Sequence, residues 1–149
     1  MKSKLSLTVV MLVMLGYPFS APAALGGDVA SVHADQSELN ATLKTVPASQ
    51  FTQFEMQLPS GTTVREYVSQ AGAVFAVTWE GPSLPDLRQL LGGYFQRYVD
   101  ALHGGGGVGA RVIEQPGLVV YTGGHMRAFR GRAYVPQLLP QGIVAEEIQ

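Results

Sequence analysis

His125, Arg127, Arg130 and Arg132 form the densest set of side chains here that could do chemistry. An imidazole and three guanidinium groups so close together could hold a small anion or an acidic partner. On a strand, Arg130 and Arg132 share one face and Arg127 opposes them. The same pattern also suits a charged edge strand that resists aggregation.

Other constellations are thinner. Gly104, Gly106 and Gly109 match G-x-G-x-x-G, but a helix precedes them and a strand follows, the reverse of a dinucleotide site. His33, His103 and His125 lie far apart. His33, Asp35 and Glu38 diverge around a helix, short of the three or four convergent ligands that zinc needs. Ser60, Ser69 and Ser83 sit at turns or caps, and no G-x-S-x-G elbow occurs. Glu66 and Glu80 could approach as an acid–base pair if the faces of their strands coincide. Tyr67, Trp79, Tyr94 and Tyr98 could line a groove, although Trp79 with Phe75 and Val77 reads as core facing a helix. No catalytic, cofactor-binding or metal-binding residue is assigned.

The compartment is set by residues 1–23, which have the pattern of a cleavable signal peptide. Lys2 and Lys4 precede an apolar run from Leu5 to Leu15, and Ala21-Pro22-Ala23 supplies the small residues of a cleavage site. That run is well short of the roughly 20 residues that span a bilayer. An uncleaved anchor is the alternative. Cleavage after Ala23 leaves 126 of 149 residues, one domain's worth, with eight basic and 11 acidic residues and a net charge of −3. So weak a charge gives no reason to expect nucleic acid as a partner. No later segment reads as a membrane span. The chain has no cysteine, which excludes disulfides, thiolate chemistry and lipid attachment at cysteine.

Four blocks follow. Residues 24–50 hold a helix on a thin stripe of Val29, Val32, Gln36, Leu39 and Leu43, which docks weakly or stays a mobile arm. Residues 51–135 form the core domain. Phe51 to Glu80 alternates as three antiparallel strands joined by short turns. Ser83 to Leu102 carries a continuous apolar stripe, capped by Ser83 with Asp86 in its first turn, and interrupted by Gly92-Gly93. Arg111 to Glu114, Leu118 to Thr122 and His125 to Val135 read as further strands, with turns at Gln115-Pro116-Gly117 and Gly123-Gly124. Residues 136–149 are a tail of loop with one helical turn. The expected fold is α+β: an antiparallel sheet of five to six strands with one long amphipathic helix packed on one face, preceded by the signal peptide.

The blocks Leu58–Thr62, Val64–Ser69, Val74–Pro82, Pro85–Gly92, Gly123–Phe129 and Arg132–Tyr134 resemble exported bacterial proteins catalogued as domain of unknown function 2844. The resemblance runs from Ala24 to the end of the chain. It implies an envelope or secreted protein, and carries no reaction, ligand or site residue with it.

Three readings of function follow. The first is a non-enzymatic accessory module, periplasmic or secreted, that binds another envelope component. The second is a small envelope hydrolase using a carboxylate or His125. The third is a self-assembling surface component.

Overall fold

The computed structural model describes residues 25–104 and 111–149. The signal-peptide reading of residues 1–23 lies outside the described residues, as does the glycine-rich loop after Gly104.

The chain begins with α1 (Val29–Glu38), β1 (Thr42–Pro47), β2 (Phe51–Gln57), β3 (Thr63–Ser69) and β4 (Val74–Gly81). Two short helices follow, α2 (Leu87–Leu91) and α3 (Phe95–Gly104). β5 (Arg111–Gln115), β6 (Leu118–His125) and β7 (Ala128–Tyr134) complete the sheet. Among the described residues, seven strands form one sheet in the order β1-β2-β3-β4-β7-β6-β5, every pair antiparallel. The α+β class holds, with more strands than the five to six expected.

The additional strand is β1, which the sequence pattern assigns to a helical block. Leu39 and Leu43 stand four apart and mimic a helical stripe. Asn40 takes a left-handed φ of 51° and turns the chain out of the helix. The β-branched Thr42, Thr45 and Val46 then extend along β2.

α1 docks firmly, contrary to the weak docking expected. Asp28 caps it by accepting from the Ser31 N–H at 3.0 Å, and Ser31, Val32 and Asp35 are buried. Leu25 and Gly26 donate backbone hydrogen bonds to Leu90 and Val74, which ties the entry segment to the core.

The expected long helix is two helices. Asp86 caps the first, accepting from the N–H groups of Arg88 and Gln89. Ser83 instead exchanges hydrogen bonds with the Thr62 hydroxyl. Gly92 adopts a φ of 48° and breaks the helix before a 3-10 turn over Gly92–Tyr94. The apolar stripe survives the break. Leu87, Leu90, Leu91 and Tyr98 pack with Met56, Val64, Val77, Trp79, Leu118, Val120 and Ala133 from the sheet. Each such aliphatic side chain, once buried, contributes about 1.5–3 kcal/mol.

Phe75 leaves the face expected for it. Val68 pairs with Val74 and Tyr67 with Ala76, so Phe75 is the extra residue of a bulge. It turns away from Val77 and Trp79 to pack with Tyr67, Ala76 and Ile148. The last hairpin also differs. Gly123 and Gly124 lie within β6, and the turn is Met126-Arg127, where Arg127 has a φ of 66°.

The tail crosses the sheet face opposite the helices. Short 3-10 turns at Pro136–Leu138 and Ala145–Glu147 shape it, and Ala145 and Ile148 are buried against the sheet. Both sheet faces are therefore covered, one by helices and the other in part by residues 139–149.

Candidate functional site

The tail-side face of the sheet is built in rows. Glu55 pairs with Arg65, Arg65 with Thr78, Thr78 with Arg132, and Arg132 with Tyr121. Cross-strand partners point the same way, so this row stands on one face. In the adjoining row Glu80 faces Arg130, and Arg130 faces Gly123. Thr78 and Gly123 are short between long neighbours. The two rows consequently frame a concavity of about 530 Å³, which Ile148 and Gln149 line from the tail.

Its three arginines are held differently. Arg65 Nε donates to Glu55 Oε2 at 2.9 Å, which offsets its charge. The Arg132 guanidinium lies over the Tyr121 ring, 4.3 Å from its centroid, and Nη1 donates to the Ala145 carbonyl at 3.0 Å. Arg130 is exposed and makes no ion pair among the described residues. Two further polar atoms stand out. Arg132 Nε is buried without a hydrogen-bond partner among the described residues, and Thr78 Oγ1 is buried with no well-formed hydrogen bond, its near neighbour being the Tyr67 hydroxyl. The Tyr67 hydroxyl lies beside Thr78 and donates to the Gln149 carbonyl.

This arrangement suits recognition of an oxyanion. A guanidinium already stacked on an aromatic ring has less freedom left to lose when it binds. Among the described residues the Thr78 hydroxyl has no histidine or carboxylate partner.

Of the four residues singled out by sequence, the structure brings two together. Arg130 and Arg132 line the concavity. His125 and Arg127 stand apart at the exposed hairpin end, where His125 Nδ1 lies 3.2 Å from the Met126 carbonyl. Arg65, Thr78 and Tyr121 went unrecognised. Alternation with Val64 and Val68 already sends Arg65 away from the core, but its neighbours depend on register. The aromatic groove does not form. Trp79 and Tyr98 belong to the helix-side core, with Tyr94 packed against it, and Tyr67 lies on the other face.

Glu66 and Glu80 lie on opposite faces of the sheet. Glu66 pairs with Val77 and points toward the helices, whereas Glu80 stands in the tail-side row beside Arg130. Glu66 meets Asp35 of α1 instead. Both are fully buried, and both Glu66 oxygens lack an N–H or hydroxyl donor among the described residues. Burial holds Glu66 well above the usual carboxyl range, and the adjacent Asp35 raises it further. Burial raises Asp35 too, while hydrogen bonds from Glu66 and Gln89 lower it. Gln89 Nε2 donates to Asp35 Oδ1 at 2.6 Å. Both carboxyl groups are thus raised, and the pair holds protons more tightly than free carboxylates do.

Among the described residues no group of three or more His, Asp or Glu side chains is placed to hold a metal. No described helix is long and apolar enough to cross a membrane. A family model described as a protein of unknown function, DUF2844, matches residues 21–148. No curated protein and no solved structure matches the chain.

Proposed function

The chain belongs to the DUF2844 family, and from that premise we propose that it is a small exported binding module of the cell envelope. Its tail-side sheet face holds an acidic partner. One observation carries this reading: Arg65 from β3 and Arg130 and Arg132 from β7 converge on a single concavity floored by Thr78 of β4. Clustered guanidinium groups recognise carboxylates and phosphates, and a stacked, pre-oriented arginine does so at low entropic cost. The signal-like residues 1–23 support export, because charge, apolar run and small-residue site occur in the required order.

The test uses cells expressing the full chain. The exported protein is purified from the envelope fraction, its N-terminus is sequenced, and its bound components are identified. The reading predicts an N-terminus at Ala24 and a retained acidic component that Arg130→Glu releases. An intact Met1 removes the export claim. A retained component unaffected by Arg130→Glu removes the assigned face.

A further inference from the structure

Two buried donors facing one concavity call for an acceptor. Thr78 and Arg132 are cross-strand partners, and both line the concavity. Among the described residues Arg132 Nε has no partner and Thr78 Oγ1 has no well-formed one, although native interiors satisfy most such groups. Arg132 Nη1 is taken by the Ala145 carbonyl, and among the described residues no hydrogen bond uses the Nε–Nη2 edge of the guanidinium. That edge is the fork that grips a carboxylate with two parallel hydrogen bonds.

The tail packs against this site. Ile148 is buried among Tyr67, Phe75 and Ala76. Tyr67 donates to the Gln149 carbonyl, and Arg132 to the Ala145 carbonyl. Residues 143–149 lie there as an acidic–apolar peptide, with Glu146 and Glu147 exposed and Ile148 inserted. Their fit is incomplete, because Gln149 lines the concavity without satisfying either donor.

We propose that residues 143–149 are a strap seated on a carboxylate-binding site formed by Thr78 Oγ1 and the Nε–Nη2 edge of Arg132. A partner's acidic peptide segment displaces the strap and places a carboxylate where the strap places Gln149. The proposal rests on the binding-module reading and specifies its ligand. The strap's own pattern argues for this occupant: its apolar Ile148 seats on the Tyr67–Phe75 patch, while Glu146 and Glu147 stand exposed on a segment that crosses the arginine-bearing face.

The test titrates the full chain with two synthetic peptides of the Ile143–Gln149 sequence, amidated at the C-terminus. One keeps glutamine at its last position and the other carries glutamate there. The backbone amides of Ala145–Gln149 and the Arg132 Nε–H are followed by NMR. The glutamate peptide is expected to bind at least about tenfold tighter, to shift the Arg132 Nε–H, and to release the strap amides. Ile148→Ser unseats the strap and should raise peptide affinity by about tenfold or more, since the competent fraction limits apparent affinity. Tyr67→Phe, which keeps the ring in place, should act in the same direction if Ile148→Ser does not fold. Arg132→Lys keeps the charge, loses the fork, and should abolish the preference for glutamate.

Equal affinity for the two peptides overturns the proposal. So does binding that leaves the strap amides unmoved, although the acidic-partner reading then survives. Absence of binding in every variant removes both. A peptide-free dimer that exchanges straps assigns the site to a second copy, and overturns the partner claim.

Discussion

Asp35 on α1 and Glu66 on β3 bring two carboxyl groups together at a position closed to solvent. Burial raises both carboxyl groups, and beside them Val32 of α1 packs against Phe54, Val68 and Val74 of the sheet. Gln89 on α2 adds a third element through its hydrogen bond to Asp35.

This pair makes stability fall as pH rises. Glu66 is held well above the ordinary value of 4.5 by burial and by Asp35. The folded state therefore binds its proton more tightly than the unfolded state does. Below the unfolded value both states are protonated and no penalty arises. Above it, stability declines by up to about 1.4 kcal/mol per pH unit per group, until Glu66 ionises in the folded state. Glu66→Gln keeps a donor toward Asp35 and removes the titration. Urea unfolding across pH should show a flatter profile for the variant and greater stability than wild type on the alkaline side. Parallel profiles would mean that Glu66 does not retain its proton.

Gly131 is fixed by the Trp79 ring. A Cβ at this position would lie 2.2 Å from Trp79 Cζ2 and 2.6 Å from the Tyr121 carbonyl. Gly131→Ala should cost about 3 kcal/mol or more, the upper range for overpacking, because the second neighbour is backbone. Denaturant unfolding followed by Trp79 fluorescence measures it. A cost under about 1 kcal/mol would show that β4 and β7 are less tightly seated than described.

Thr78→Val separates stability from binding. The replacement has nearly the same shape and removes a buried hydroxyl that has no well-formed hydrogen bond among the described residues. Leaving such a group unsatisfied costs about 1–3 kcal/mol, so the variant should be as stable as wild type or more so. Its affinity for the glutamate-ended peptide should nevertheless fall. Thermal unfolding and peptide titration on the same sample check both halves. Lower stability would indicate that the hydroxyl is already satisfied.

How much of this was legible depended on which interactions are local. Phe54, Met56 and Leu58 alternate so regularly that β2 could be placed from sequence alone, as could its turn into β3. The α2–α3 stripe was visible too, but one glycine conformation at Gly92 decided between one helix and two. The bulge at Phe75 cannot be read from sequence, because it is a register choice between two strands that both alternate cleanly. The site suffered most from this. Arg130 and Arg132 declared themselves by spacing, whereas Arg65 and Thr78 join them through pairings across β3, β4 and β7. Nor did the tail's sequence show that Ile148 would lie on the sheet.

The central claim, that the arginine-lined face holds an acidic partner, is tested most directly by one comparison. Binding of the glutamate-ended peptide is measured by calorimetry for wild type and Arg130→Glu, at low and at raised ionic strength. Arg130 is exposed at the rim, so its reversal should leave the fold intact. The account predicts affinity lower by at least about tenfold in the variant, with a weaker salt dependence. Equal affinity and equal salt dependence in the two proteins would contradict it.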